Sequence, residues 1–340
     1  MYTFMISFIT RNNPLTHPVL IALATALKRI NNENDIQIKN LTSFFINFYI
    51  SHDNYKNANW IVVDDPIAFL YCVYKLKINH KKIIFYSLEM YEHQLLNDNL
   101  KNKMRNSLFS LAHKHAQKKS FKIIFPSQNR LDFYLNCRNE NHIKNKSVVI
   151  YNYPESNSLS IEKPNDTYIN LIETLKSNNK KIIIYAGSIQ KGRDLEKFMS
   201  QLATSENHHL ILIGHNKNYS NEYFKTINNV SFLGPLPRKQ VNYFYEQADI
   251  GLLQYENEPL NTKLCAPVKL WEYLYFKLNI ISNSNYAMQT EWKSHVDYFY
   301  KTNEDLMKIL SVSEHKNKYL TDIPFLEEEI VSFIRDKLIP

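Results

Sequence analysis

Glycine is the residue this chain has least of. Among 340 residues there are five, Gly187, Gly192, Gly214, Gly234 and Gly251, where ordinary usage would give roughly 24. All five lie between positions 187 and 251. A glycine kept in so glycine-poor a chain marks a place where backbone geometry or close approach demands it. The three cysteines, Cys72, Cys137 and Cys265, are too few and too far apart for a metal-ligand set or a disulfide framework. A reducing cytoplasm is the compartment they suggest. No run of about 18 apolar residues occurs, so no membrane span is expected. The opening stretch Met1 to Thr10 is apolar but has no basic lead and meets Arg11 at once. It reads as a first strand, not as a signal peptide.

What is present points to two domains with sizeable cores: the length favours more than one domain, and 44% of the residues are hydrophobic. The net charge of +8 is unevenly placed. Residues 1–154 carry +10 and residues 155–340 carry −2. An anionic partner is therefore expected of the first half.

In that half, apolar runs alternate with helical patterns, the mark of an α/β fold. Tyr2–Thr10, Asn59–Asp65, Lys82–Tyr86, Phe121–Phe125 and Val148–Pro154 read as strands, and Val19–Ile30 reads as a helix. The loop Arg11–Pro18 carries His17. Open α/β sheets bind ligands outside the carboxyl ends of their strands. Asp64, Asp65 and Glu89 follow two such strands and are expected to face a cleft. Residues 102–120 form a basic helical segment with Lys103, Arg105, Lys114, Lys118 and Lys119, and with Met104, Leu108, Leu111 and Ala112 as an apolar face. Such a helix suits either an anionic membrane surface or a solvated charged face whose other side packs on the sheet. No nucleic-acid-binding motif accompanies the charge, so nucleic acid is not an expected partner.

The second half starts again as strand, glycine turn and helix at Ile182–Gln201, after the polar boundary Glu155–Asp166. Leu210–Gly214, Val230–Pro237 and Asp249–Gln254 follow as strand-and-turn segments, with a helix at Val241–Ala248. Pro267 then opens a helix whose apolar face is Leu270, Tyr273 and Leu274, and Leu278–Asn283 reads as a short buried strand. A helix N-terminus attracts anions through its free N–H groups and its dipole. Glu272 lies about 5 Å deeper along that helix, placed to accept hydrogen bonds from ribose hydroxyls.

The run Pro267-Val-Lys-Leu-Trp-Glu-Tyr-Leu274, with Asn279-Ile-Ile281 after it, resembles the donor-site signature of retaining GT-B glycosyltransferases of the family 4 type. The resemblance covers about 182 to 283. It takes in the Gly187 turn with Lys191 and the segment Val230–Pro237 where the family holds the nucleotide base; ahead of it, Ile150-Tyr-Asn-Tyr-Pro154 separately resembles the family's exit into the interdomain linker. It implies an α/β GT-B architecture of two Rossmann-like domains facing each other across a cleft. Residues 1–154 would bind the acceptor, 155–324 the nucleotide sugar, and a helix in 325–340 would cross back. The implied activity is transfer of a sugar, with retention, from a nucleotide diphosphate sugar to a glycan or lipid-linked acceptor in surface polysaccharide assembly. Neither a cofactor nor a metal is implied. Gly187, Ser188, Lys191, Arg193, Gly214, Leu236, Pro267, Val268, Lys269 and Glu272 would form the donor site. Glu89, His17 and Lys191 would be catalytic, with Glu89 on the acceptor side. Two departures stand out. Ser188 occupies the place of the family's arginine, with Arg193 as the substitute charge. Leu264 occupies the place of a second glutamate near the donor sugar, with Glu256 or Glu258 as substitutes. A nucleotide-sugar epimerase of the same fold and a non-catalytic partner protein are the competing readings.

Overall fold

The computed structural model describes residues 5–14, 17–31, 38–43, 46–51, 55–95, 99–138, 141–189, 193, 195–217, 219–311 and 322–338. The chain divides into two compact units. One comprises Met1–Glu155, Glu258–Ala266 and Pro324–Pro340, the other Ser156–Asn257 and Pro267–Ile323. The segment 258–266, inside the range that the sequence assigned to the second domain, therefore belongs to the first unit.

The first unit is built on strands β1 (Ile6–Thr10), β2 (Lys39–Ser43), β3 (Ile46–Ile50), β4 (Trp60–Val63), β5 (Ile83–Tyr86), β6 (Lys122–Phe125) and β7 (Ser147–Val149). They form one sheet in the order β2-β3-β1-β4-β5-β6-β7. The strands from β4 to β7 run parallel to β1, with Ile61 opposite Ile83 and Phe85 opposite Ile123. Their β-branched runs are buried on both faces, as parallel strands covered by helices must be. The hairpin of β2 and β3 adds an antiparallel edge that the sequence did not announce. The expected strand Val148–Pro154 is reduced to β7. Helix Pro18–Asn31 begins with a proline, whose missing N–H costs nothing there. It packs against the last helix, Leu326–Lys337.

The second unit holds β8 (Lys181–Ala186), β9 (His208–Ile213), β10 (Val230–Gly234), β11 (Ile250–Leu253), β12 (Asn279–Asn283) and β13 (Tyr298–Tyr300). All pair in parallel, in the order β10-β9-β8-β11-β12-β13. Counted from β8 the order is 3-2-1-4-5-6, the doubly wound arrangement. Strand order reverses between β8 and β11, and the carboxyl end of that pair is the crevice where such sheets take ligands.

Candidate functional site

In the second unit Gly187, Arg193 and Lys269 of the expected donor set come together at that reversal. β8 ends in Gly187, whose φ of +149° suits glycine, and its N–H donates to the Ile213 carbonyl at 2.8 Å. Gly214 ends β9. A Cβ there would lie 1.9 Å from the Gly187 carbonyl oxygen, so no larger residue fits. The backbone at Gly187 is open on its other side to Lys269. A Cβ on Gly187 would come within 2.7 Å of the Lys269 ammonium. That ammonium sits 4.1 Å from the centroid of the Tyr185 ring and 5.9 Å from that of Tyr255. Arg193 places its guanidinium 4.8 Å over the same Tyr255 ring. Two cations thus converge on aromatic faces at the carboxyl end of β8 and β11, an arrangement that favours a bound polyanion. Tyr185 donates its hydroxyl to the Ser188 carbonyl at 3.0 Å, and burial raises its pKa.

The next helix of the second unit after β11 spans Val268–Tyr275, with buried Pro267 as its N-cap in extended geometry. Proline is thus one position earlier than expected. It lets Val268 and Lys269, both half-buried, form the first turn. One turn on, Glu272 is 3% exposed. One carboxylate oxygen accepts from the Tyr245 hydroxyl at 3.3 Å, and the other is ion-paired with Arg238. Burial opposes the charge on Arg238, but Glu272 and Tyr245 outweigh it and raise the guanidinium pKa. The sequence missed Arg238. Helical periodicity placed the helix start at Val241, whereas Pro237 caps it and Arg238 is its first residue. Leu236, in the loop between β10 and that helix, is half-buried. Lys191, expected in both the donor and catalytic sets, lies outside the described residues.

In the first unit, polar groups collect at the carboxyl ends of β1, β4 and β5. Asp65 is not free for a ligand: it caps the helix Pro66–Leu70 through Ile67 and Ala68 and accepts from Arg11 Nε at 2.7 Å. Asp64 is 2% exposed and accepts from Asn12 at 2.7 Å. Burial, with the Asp65 charge adding, pushes its pKa up to about 7. His17 heads the first helix, its carbonyl accepting from Leu20 and Ile21 at 3.0 Å. Burial lowers its imidazole pKa, while the nearby Glu89 charge opposes this. Glu89 is one-third exposed and stands 4.0 Å from Arg130. His17 Nδ1, Asp64 Oδ1 and Glu89 Oε2 are buried without a hydrogen-bond partner among the described residues. Buried polar atoms of this kind ordinarily take a partner from ordered water or a ligand. His17 and Glu89 are therefore brought within electrostatic reach of each other, and Asp64 and Glu89 both act on Tyr91.

Leu264 is 4% exposed and packs in the core of the first unit with Phe69, Phe85 and Tyr134. Arg130 fixes it there by donating Nε to the Leu264 carbonyl at 2.8 Å. Leucine at this position is thus a core residue. Glu256 is half-buried and Glu258 exposed. Among the described residues, no group of three His, Cys, Asp or Glu side chains is arranged to hold a metal ion. None of the described helices is long and apolar enough to cross a membrane.

No family model matches the sequence, and no curated protein does so either. Solved structures do share its fold. HepE from Anabaena in complex with UDP matches with a TM-score of 0.53 at 14% identity, over 82% of this chain and 75% of that one. Sucrose-phosphate synthase from Thermosynechococcus elongatus matches with a TM-score of 0.52 at 14% identity, over 75% of this chain. The match spans only 65% of that synthase. A putative UDP-N-acetylglucosamine 2-epimerase from Listeria monocytogenes matches with a TM-score of 0.51 at 10% identity, over 83% of this chain and 75% of that one. The chain has the GT-B fold.

Proposed function

We propose that this protein is a glycosyltransferase that takes a sugar from a nucleotide diphosphate sugar and passes it to a hydroxyl of a glycan or lipid-linked acceptor. The observation that carries this reading is the Lys269 ammonium over the Gly187 backbone at the strand-order reversal, with buried Glu272 one turn behind it. A diphosphate at the carboxyl end of β8 and β11 would meet Lys269, Arg193 and the amide end of the helix Val268–Tyr275. Its ribose would reach Glu272. Lys191 belongs to the same assignment by its place in the sequence. HepE, whose structure holds UDP, shares the fold, which supports a nucleotide-sugar donor.

In the reaction the bond from the anomeric carbon to the diphosphate oxygen breaks, a bond to the acceptor oxygen forms, and the acceptor hydroxyl gives its proton to an oxygen of the leaving diphosphate. Negative charge grows on the leaving diphosphate. The two cations stabilise it where it develops, a role worth several kcal/mol in a site that excludes water. Charge carried this way needs no metal ion. We assign the acceptor to the first unit, where Glu89 and His17 offer buried polar atoms to a sugar hydroxyl. Retention of anomeric configuration, transfer of a hexose, a place in surface polysaccharide assembly and a site of action at the cytoplasmic face of the membrane complete the reading. The test is incubation with a panel of nucleotide sugars, with and without lipid-linked or glycan acceptors. Acceptor-dependent release of nucleoside diphosphate supports the transferase. An epimerised nucleotide sugar released without acceptor would replace it with the epimerase.

A further inference from the structure

The helix Leu100–Lys119 in the first unit is built inside out. Its buried face carries Asn106, His113 and Gln117 besides Phe109, Ala112 and Ala116. The polar members are anchored: Asn106 donates to the Leu95 carbonyl at 2.9 Å, and His113 bonds Glu92 at 2.8 Å and Ser87 at 2.9 Å. Its outer face carries Leu100, Met104, Leu108 and Leu111, which are 73%, 65%, 58% and 70% exposed. The sequence grouped Ala112 with the last three, but the structure turns Ala112 inward. A helix that only covers a sheet shows the opposite polarity, apolar side in and polar side out. Single exposed leucines are ordinary, whereas a contiguous stripe marks a contact surface.

Charge identifies the occupant. The helix has six Lys and Arg residues and no acid. At about 100° of turn per residue, Lys103 and Lys114 fall on one side of the stripe and Lys101 and Lys119 on the other. All four are exposed. Long lysine stems can lie along an apolar surface while their ammonium groups reach outward. A second copy of this chain would set one acid-free basic helix against another, so self-association through this face is disfavoured.

We propose that this face docks on an anionic bilayer leaflet, with Leu100, Met104, Leu108 and Leu111 entering the interfacial layer and the flanking lysines meeting lipid phosphates. This deepens the membrane-face location in the proposed function, but it rests on the helix alone and is independent of sugar transfer. Lysine contacts fade within a Debye length, whereas insertion of the stripe does not. Salt therefore weakens docking without abolishing it.

The experiment is co-sedimentation of the full chain with vesicles of phosphatidylcholine alone or mixed equally with phosphatidylglycerol, at low and high salt. The wild-type protein is expected to bind the mixed vesicles far more than the neutral ones, with a weak fraction still bound at high salt or on neutral lipid. The pair Leu108→Ser and Leu111→Ser should weaken binding roughly tenfold or more, with melting temperature and nucleotide binding unchanged because both side chains are exposed. Lys103→Glu with Lys114→Glu should remove the preference for anionic lipid. Absence of binding to either vesicle, or binding untouched by the serine pair, overturns the proposal. So does concentration-dependent dimerisation without lipid that the serine pair abolishes. Loss of glycosyl transfer with vesicle binding intact would indict the proposed activity alone.

Discussion

Arg238, the first residue of the helix after β10, is ion-paired with Glu272 in the helix Val268–Tyr275. The partners are unequally buried: the Glu272 side chain is 3% exposed and that of Arg238 34%. Removing one partner of a buried pair is costly because the other charge is stranded. Arg238, whose side chain is one-third exposed, keeps more access to water without its partner than Glu272 does. Arg238→Ala should therefore destabilise the protein by about 3 kcal/mol or more, and Glu272→Ala by distinctly less. Urea denaturation of both variants measures this, and equal losses would contradict the pairing as described.

Glu272→Ala should nevertheless be the more damaging change for ligand binding. Losing its hydrogen bonds to a ribose should weaken nucleotide affinity by about 1–3 kcal/mol. A 2′-deoxy nucleotide should bind the variant as well as the ordinary one does. Calorimetric titration of both nucleotides checks this.

Lys269→Ala and Arg193→Ala should each lower turnover at saturating donor, by about 10²-fold if each acts on developing charge. Gly187→Ala should act in the same direction, since its methyl group would stand 2.7 Å from the Lys269 ammonium and force it aside. Steady-state rates for the three variants test this. Wild-type rates in all three would move the diphosphate elsewhere.

Asp64 gives stability a pH dependence of known sign. Its folded pKa is about 7, against about 3.9 in an unfolded chain. Between those values the folded state holds a proton the unfolded state has lost, so stability falls as pH rises through this range. Asp64→Asn removes that fall, which amounts to up to about 4 kcal/mol at its upper end. Denaturation curves for both proteins from about pH 4 to 8 should diverge with increasing pH, and parallel curves would contradict the assignment.

Glu92 works in the opposite sense. Burial would raise its pKa, but His113, Tyr134 and the local backbone hold it at about 2. It contributes stability above the unfolded value of about 4.3, and that contribution is lost as pH falls through about 2. Glu92→Gln should cost about 3 kcal/mol near neutral pH, with a deficit that shrinks in acid. Melting temperatures at both pH values test it.

Much of this was legible in the sequence because it is written in backbone terms. The β-branched runs at Ile182–Ile184 and Ile280–Ile281 gave buried parallel strands, and the scarcity of glycine pointed to Gly187 and Gly214. Long-range side-chain pairing was not legible. Arg238 meets Glu272 only because two helices lie side by side on one sheet, and apolar periodicity began its helix too late. The β2–β3 hairpin was missed because neither Gly nor Pro punctuates Lys39–Ile50. The apolar face Met104, Leu108 and Leu111 of the helix Leu100–Lys119 was legible from its spacing. Which side meets the sheet was not, because the inward face mixes Asn106, His113 and Gln117 with Phe109, Ala112 and Ala116, and periodicity alone cannot distinguish hydrogen-bonded polar side chains from solvated ones.

The most direct test of the account is calorimetric titration of the wild-type protein and of Lys269→Ala with uridine, guanosine, adenosine, cytidine and thymidine diphosphates. One of them should bind the wild-type chain at a single site, and Lys269→Ala should weaken that binding by about tenfold or more. No binding by any of the five, or equal affinity in the two proteins, would contradict a diphosphate site at the carboxyl end of β8 and β11.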